Sequence, residues 1–198
     1  MQTQKVDQSK TQATSLWRTI PIGDEFEKTF ENFKSSAFRL ETLQTYAETS
    51  EAGPFHQYQR GAVPDASFMS EWCQMVREHV ASSRAMRRIH IVDMPLSDYL
   101  KFEIECCYAH AGDAGEDIRI IDRSKLLPEH LKLINEDYWF FDSLTVMIND
   151  YDEHGTITQA RITTDPVLVS KYAGIEKQLW PLSVPFRDFY RKQVGKEL

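Results

Sequence analysis

The chain has 198 residues, of which 41% are hydrophobic and 27% are charged. This composition excludes a disordered chain, and the length suffices for one hydrophobic core of ordinary size. The formal net charge of −7 disfavours a general affinity for nucleic acid, because binding a polyanion needs clustered Lys and Arg side chains.

Residues 1–15 are polar and unpatterned, so we expect a flexible N-terminal arm followed by a single domain over residues 16–198. The arm lacks the apolar stretch of a secretory signal, and the sequence has no apolar run that would cross a bilayer. The three cysteines show no regular spacing, which is typical of free thiols in a reducing compartment. We therefore expect a cytoplasmic protein without a membrane segment.

The first patterned segment holds Phe26, Phe30 and Phe33 at helical spacing, which predicts a helix that packs through its aromatic side chains. Residues 36–47 begin with alternating apolar and polar side chains and are predicted as a strand. Residues 51–67 contain two prolines and two glycines, which favour a loop.

Beyond this loop, the pattern predicts helices and strands in alternation. The first predicted elements are a helix over 68–88 capped by Ser67, a strand over 89–94, and a helix that is capped by Ser97 and ends at Gly112 or Gly115. A strand over 117–122, a polar connection over 125–137, an apolar strand over 138–150 and a return strand over 155–164 follow. The last predicted elements are a helix over 166–180 opened by Asp165 and a short helix within 183–198. A strand-helix-strand unit of this kind should bring residues 89–94 and 117–122 close together. The order predicts an α/β (α+β-like) fold, in which helices flank a mixed β-sheet.

Four stretches of the sequence together resemble one bacterial family of unknown function. They are SAFRLET at residues 36–42, MRRIHIVDMPLSDYLKFE at 86–103, AGEDIRI at 114–120 and DYWFFDS at 137–143. The resemblance spans most of residues 30–186 and implies a shared fold without implying an activity. The order of the elements is also distantly similar to one half of a phospholipase D-like domain, a fold shared by enzymes and by regulatory proteins without catalysis.

His130, Lys132 and Asp137 spell H-x-K-x-x-x-x-D, which is the catalytic pattern of the phospholipase D superfamily. That resemblance implies a nucleophilic His, a Lys that binds phosphate oxygens and a supporting Asp. Three features disfavour it here. The pattern lies in a predicted loop, it lacks the Gly-Ser pair that follows in the superfamily, and it occurs once, so that activity would need a homodimer.

The phospholipase D pattern can also be aligned in a second register, in which Asp142, which lies between apolar strand segments, takes the position of the Asp of the pattern. Asn135 and Asp137 then take the places of the His and the Lys, and Asn149–Asp150 falls near the Gly-Ser place. In this register the nucleophile and the phosphate-binding cation are both replaced. We therefore interpret the literal motif as chance and the phospholipase D-like half as catalytically degenerate.

Charged and polar side chains at predicted strand ends, helix ends and turns form a second candidate, a ligand-binding site. Its predicted residues are Arg88, His90, Ser97, Tyr99, Glu103, Glu116, Arg119, Asp137 and Asp142. Carboxylates in such places bind amines, sugars or divalent cations, or act as acid and base. The sequence shows no spacing typical of a metal site or a cofactor-binding loop, so it predicts no metal and no cofactor.

The competing interpretation is that these groups form structural ion pairs. Arg39 and Arg119 lie in predicted strands among apolar neighbours, and a buried Arg needs a carboxylate partner or an anionic ligand. Glu41, Glu103 and Asp117 are the plausible carboxylate partners.

These observations favour a binding or regulatory module that takes a small polar ligand or a regulatory protein partner. The alternative is an enzyme, either a phosphodiesterase that uses His130 and Lys132 or an acyl or aminoacyl transferase of a small biosynthetic pathway. A tRNA-dependent transferase would need a local basic patch, for which Arg84, Arg87 and Arg88 at the end of a predicted helix are the candidates.

Overall fold

The computed structural model describes residues 16–195 and Leu198, so the arm expected in residues 1–15 lies outside the described residues. Eight strands form one mixed sheet. They are β1 (Arg18–Pro21), β2 (Ser36–Glu41), β3 (Ala85–Val92), β4 (Asp117–Asp122), β5 (Tyr138–Phe141), β6 (Thr145–Tyr151), β7 (Ile157–Thr163) and β8 (Val184–Pro185). Across the sheet the strands follow the order β1-β7-β6-β5-β2-β3-β4-β8.

Helices connect the strands and cover the sheet. They are α1 (Asp24–Asn32), α2 (Ala52–Gln59), α3 (Ser70–Ala81), α4 (Asp98–Phe102), α5 (Ala109–Ala114), α6 (Pro128–Leu131), α7 (Pro166–Leu179) and α8 (Phe186–Val194). A π-helical turn over Glu103–Tyr108 joins α4 to α5, and we call the whole unit the α4–α5 rod. In the part of the chain that the structure describes, no helix is both long and apolar enough to cross a bilayer.

The three strands β2, β3 and β4 run parallel, and every other pairing among the described strands is antiparallel. Parallel neighbours need a crossover connection, which here contains α3 before β3 and the α4–α5 rod before β4. The pairing of β3 with β4 confirms that residues 89–94 and 117–122 lie together. The fold is therefore the mixed α/β arrangement predicted from the order of elements.

Alternation along the strands divides the core into two layers, as a period of two requires. On β2, Phe38 and Leu40 belong to the layer that α7 covers. Ala37 lies on the opposite side, which packs against α3 and the α4–α5 rod, and Arg39 and Glu41 share that side. We call this second side the α4 face.

Three predicted helix boundaries are confirmed by their caps. The Ser97 hydroxyl accepts a hydrogen bond from the Leu100 N–H at 3.1 Å and starts α4. Asp165 accepts from two N–H groups in the first turn of α7. Gly115 adopts φ of 113° at the end of α5, a left-handed conformation that strongly favours glycine.

Two predictions in the first half of the chain are wrong. Helix α2 forms inside the segment 51–67, which was predicted as a loop, because Phe55 and Tyr58 pack onto Phe102. These contacts outweigh the low helix propensity of a segment with glycine and proline. The helix predicted over 68–88 instead ends at Ala81, so the last residues of that segment belong to β3.

The single apolar strand predicted over 138–150 is also wrong. It is the hairpin of β5 and β6, and the first two of its three turn residues, Asp142 and Ser143, have positive φ, 55° and 56°. Apolar side chains on both sides of the turn concealed the break in the sequence. Helix α6 forms within the segment predicted as a polar connection.

Asp142 ties this turn to the start of β2. Its carboxylate accepts hydrogen bonds from the backbone N–H groups of Lys34, Ser35 and Ser36 at 2.7 to 3.1 Å. These donors hold the pKa of Asp142 below its usual range, although partial burial opposes the shift. The two strands are thus fixed together at this end of the sheet.

We predict that Asp142→Ala lowers the free energy of unfolding by about 2–3 kcal/mol, because it leaves several N–H groups at the turn without their charged acceptor. Asp142→Asn keeps one acceptor oxygen and tolerates positive φ, so its loss should be about half as large. Urea denaturation of both variants measures the difference. Equal, small losses in both variants would contradict this role of the carboxylate.

Candidate functional site

Charged and phenolic side chains lie together on the α4 face, between the middle of the sheet and the helices. We call them the ionic cluster; its members are Arg39, Glu41, Arg88, His90, Glu103, Tyr108, Glu116 and Asp137. Burial of this much charge is unusual, because each ion loses its hydration unless a partner replaces the water.

The register of two parallel strands builds the centre of the cluster. Arg39 on β2 lies beside Arg88 on β3, and Glu41 lies beside His90. Arg39 and Glu41 are two residues apart on β2, and Arg88 and His90 are two residues apart on β3. All four side chains therefore point to the α4 face. Glu103 reaches the same place from the start of the π-helical turn.

Glu41 is the hub of the two guanidinium groups. It accepts from Arg39 Nε at 3.0 Å, from Arg88 Nη1 at 2.9 Å and from the Tyr108 hydroxyl at 3.0 Å. Burial disfavours its charge, but Arg88 and Arg39 outweigh burial and hold the pKa of Glu41 far below its usual range. The carboxylate is therefore ionised at neutral pH.

Glu116 supports Arg88 from the other side. Its carboxylate accepts from Arg88 Nε at 2.8 Å and from the Trp72 indole N–H at 2.9 Å. The Glu116 side chain is fully buried, whereas the Arg88 side chain is 11% exposed. The cluster is thus reached by solvent next to Arg88.

The hydrogen-bond partners of His90 indicate where its protons lie. Nε2 lies 2.7 Å from the Leu43 carbonyl oxygen, which can only accept, so Nε2 carries a proton. Nδ1 lies 2.7 Å from the Tyr108 hydroxyl, whose own proton is directed to Glu41. With the Tyr108 hydroxyl donating to Glu41, Nδ1 donates as well, which corresponds to an imidazolium.

Electrostatics agree with this assignment. Complete burial lowers the pKa of His90, but Glu103 and Glu41 outweigh burial and raise it to about 9. The nearest carboxylate oxygen is Glu103 Oε2, 3.3 Å from Nδ1. His90 is thus positively charged at neutral pH and lies between two carboxylates.

Asp137 closes the cluster at the end of β2. Its carboxylate accepts from the Thr42 N–H at 2.8 Å, from the Thr42 hydroxyl at 2.6 Å and from the Tyr46 hydroxyl. Arg39 Nη2 lies 3.9 Å away and donates to the Tyr151 hydroxyl at 2.8 Å. The segment that follows β2, with Thr42 and Tyr46, is thereby held over the cluster.

Glu51 is a further carboxylate, which lies between Glu103 and the protein surface. It accepts from the Tyr99 hydroxyl at 2.7 Å, and the Cys107 thiol lies 3.8 Å away. Burial, together with the charges of Glu103 and Glu48, raises the pKa of Glu51 to about 7. The Glu51 carboxyl is therefore half protonated near neutral pH.

Six of the predicted ligand residues meet in or beside this site. Arg88, His90, Glu103, Glu116 and Asp137 are members of the ionic cluster. Tyr99 lies beside it and contacts Glu51.

Ser97, Arg119 and Asp142 lie elsewhere. Ser97 caps α4 and donates to the Gln44 carbonyl oxygen at 3.0 Å. Arg119 donates to the Ser183 hydroxyl at 2.7 Å and its guanidinium lies 5.1 Å from the Trp180 ring centroid. The carboxylate partner expected for Arg119 is thus replaced by a hydroxyl and an aromatic face.

The literal H-x-K-x-x-x-x-D residues are divided between the surface and the core. His130 belongs to α6, where its Nδ1 accepts weakly from the Leu127 N–H at 3.4 Å, and Lys132 is exposed. Asp137 is buried and its carboxylate serves Thr42 and Tyr46.

The residues of the second register lie just before and along the β5–β6 hairpin. Asp142 lies in the turn, and the Asn149 N–H donates to the Asp137 carbonyl oxygen at 3.0 Å. Asp137 and Asn149 therefore face each other next to Arg39 and Tyr151.

The three arginines of the expected basic patch point in different directions. Arg84 donates to the Phe33 carbonyl oxygen at 3.0 Å, and Arg87 pairs with Glu176 of α7. Arg88 lies on the opposite side of β3, in the ionic cluster. The strand conformation separates charges that a helix end would have grouped.

Sequence reasoning did not place Arg39, Glu41 and Tyr108 in the site. The available indication was the stretch SAFRLE, in which two opposite charges stand two residues apart in an otherwise apolar strand. Such a pair shares one face of a sheet, and in a strand with buried faces it needs further partners.

Comparisons with known proteins agree with the fold. The sequence model of one protein family, a domain of unknown function, matches residues 24–191. No curated protein matches the sequence significantly.

Solved structures that match include a phospholipase D family member, Nuc from Salmonella typhimurium, with a TM-score of 0.50 and 9% identity. The match covers 85% of this chain and 95% of that one. A second match is the archaeal chromatin protein TrmBL2, with a TM-score of 0.46 and 10% identity over 85% of this chain and 53% of that chain. The likeness to Nuc shows a phospholipase D-like fold and leaves the function open.

We predict that Glu51→Gln changes how stability depends on pH. The raised pKa means that the folded protein holds this proton more tightly than the unfolded chain, so stability falls as pH rises from about 4.5 through about 7. The loss is on the order of 2 kcal/mol and should disappear in the variant. The neighbouring titratable groups are Glu48, Glu103, Glu41, Tyr99 and Cys107.

Urea denaturation at pH 5.5 and pH 8 measures this effect. Glu51→Gln should be more stable than the unaltered protein at pH 8 by a larger margin than at pH 5.5. Glu129→Gln, which alters an exposed carboxylate on α6, is the matched control and should keep the original pH dependence. A pH-independent difference between Glu51→Gln and the unaltered protein would contradict the prediction.

Proposed function

The chain belongs to the family described as domain of unknown function (DUF6879), and from the geometry of the ionic cluster we propose that the protein is a binding module for a small cationic ligand. The ligand enters the ionic cluster, and the phospholipase D-like fold serves as a scaffold without phosphodiesterase activity. The observation that supports this proposal most directly is the excess of buried carboxylates over buried cations.

The charges of the cluster define what it attracts. Its cations are Arg39, Arg88 and His90, and its carboxylates are Glu41, Glu103, Glu116 and Asp137. One negative charge is left over inside a low-dielectric core, and Glu51 adds a second when it ionises. A cation relieves this imbalance, whereas a phosphate would increase it.

The position of Glu51 gives the ligand a route. The side chain lies between the surface and Glu103, and burial together with the charge of Glu103 raises its pKa to about 7, so that a proton is held there. The positive charge of a cationic ligand would replace that proton at Glu51. The segment over residues 42–51 covers this side without forming a helix or strand, so its rearrangement would not break the sheet.

Phosphodiester chemistry has little support in the same place. A phosphoryl-transfer site needs a nucleophile and cations aimed at the phosphate. Both nitrogens of His90 are already hydrogen-bonded, and both guanidinium groups are paired with carboxylates.

We predict that 1,4-diaminobutane raises the melting temperature of the full chain by about 5 °C or more at a hundredfold excess over its Kd, because it binds the folded state alone. Differential scanning fluorimetry measures the shift. Inorganic phosphate at the same ionic strength should produce none. Glu51→Gln should weaken the shift, and Glu153→Gln, an exposed carboxylate in the β6–β7 turn, should keep it. Stabilisation by phosphate alone would contradict a cation site.

We also predict no hydrolysis of bis(4-nitrophenyl) phosphate above the buffer rate. The Lys of the literal motif is exposed, its His is half-buried in α6, and its Asp is engaged in the core. Absorbance at the nitrophenolate band measures turnover, with His130→Ala and Lys132→Ala as paired variants. Turnover that disappears in both variants would establish the phosphodiesterase instead.

A further inference from the structure

We propose that Glu41, His90 and Glu103 bind a divalent transition-metal cation, with Zn²⁺ as the representative ion. The inference rests on the proposed function, since it names the cation class for the same site. It goes beyond the sequence prediction, in which no metal was expected.

The three side chains already converge. His90 Nδ1 lies 3.3 Å from Glu103 Oε2 and 3.8 Å from Glu41 Oε2, and one ligand atom from each residue falls within 4.8 Å of the others. Ligands that hold Zn²⁺ at about 2.0–2.2 Å in a tetrahedron stand about 3.4 Å apart. Shifts of a few tenths of an ångström up to about 1 Å therefore suffice to enclose an ion.

One oxygen in this group is not satisfied. Glu103 is 4% exposed, and no described N–H or O–H group donates a hydrogen bond to its Oε2. Oε2 forms an ion pair with His90 Nδ1 at 3.3 Å, and no hydrogen bond adds to this pair at Oε2. A metal ion between the two atoms would satisfy both.

The second nitrogen of His90 is arranged as metal-binding histidines usually are. Nε2 donates to the Leu43 carbonyl oxygen at 2.7 Å, which fixes the ring and directs Nδ1 at the carboxylates. A hydrogen bond from the far nitrogen to a backbone carbonyl is the common outer support of a metal-bound imidazole.

The π-helical turn adds a candidate fourth ligand atom. Residues five apart face the same side of such a turn, which brings the Tyr108 hydroxyl within 2.7 Å of His90 Nδ1 and 3.0 Å of Glu41 Oε2. This hydroxyl now lies on the line of the Nδ1 proton, so it must move aside or coordinate when the ion binds.

Charge balance favours the exchange. The ion takes the Nδ1 electron pair, and the proton leaves to solvent, so the cluster gains one net positive charge. Three cations against four carboxylates become four positive charges against four negative ones. The set of one imidazole and two carboxylates suits Zn²⁺, Fe²⁺ or Mn²⁺ better than Ca²⁺, which prefers oxygen ligands alone.

The test uses the full chain, freed of any affinity tag and treated with chelator. Titration with ZnCl₂ by calorimetry should show one site per chain, and Glu103→Gln and His90→Gln should each weaken binding at least tenfold. Glu105→Gln, on the same turn but outside the ligand set, is the matched control and should bind as before. Circular dichroism checks that each variant is folded.

A spectroscopic measurement on the unaltered protein covers the case in which a variant fails to fold. Co²⁺ at one equivalent should give visible d–d absorption, which Zn²⁺ then abolishes by displacement. If ZnCl₂ and Co²⁺ both fail to bind while 1,4-diaminobutane stabilises the protein, the metal inference is overturned and the cation-binding function stands. If none of the three binds, both are overturned.

Discussion

The placement of two guanidinium groups side by side in the core is the constraint on which the rest of the structure depends. Arg39 and Arg88 are register neighbours on β2 and β3, and both point to the α4 face. An unpaired charge in such a place costs several kcal/mol, so the fold has to bring carboxylates to both. Glu41 serves the two arginines at once, and Glu116 completes the second.

The same requirement connects the sheet to its helices. Glu116 follows the α4–α5 rod, Glu103 lies within it, and Asp137 precedes β5, so each carboxylate belongs to a different segment of the chain. Apolar side chains of similar volume would hold these layers together as well or better, because buried ion pairs contribute little net stability. A charged network in which one Glu103 oxygen accepts no hydrogen bond is the feature on which the proposed cation binding rests.

The sequence predicted helices and strands well where interactions between neighbouring residues determine them. The Ser97 cap, the strand at residues 117–122 and the α/β order follow from spacing and from helix caps. Helix α2 was missed because distant aromatic contacts decide it. For the site, His90 and Glu103 were recognised as polar groups near strand and helix ends. Their contact with Glu41 depends on the register of β2 against β3, which a single sequence does not contain.

The protons of His90 provide the most direct test of metal binding in the cluster. Nitrogen-15 NMR of the imidazole, assigned with His90→Gln, reports both ring nitrogens separately. At pH 7 without metal the account predicts that both are protonated, in keeping with a pKa of about 9. One equivalent of Zn²⁺ should remove the proton from Nδ1 alone, while Nε2 keeps the proton that it donates to the Leu43 carbonyl oxygen. An imidazole spectrum that Zn²⁺ leaves unchanged would contradict metal binding at His90.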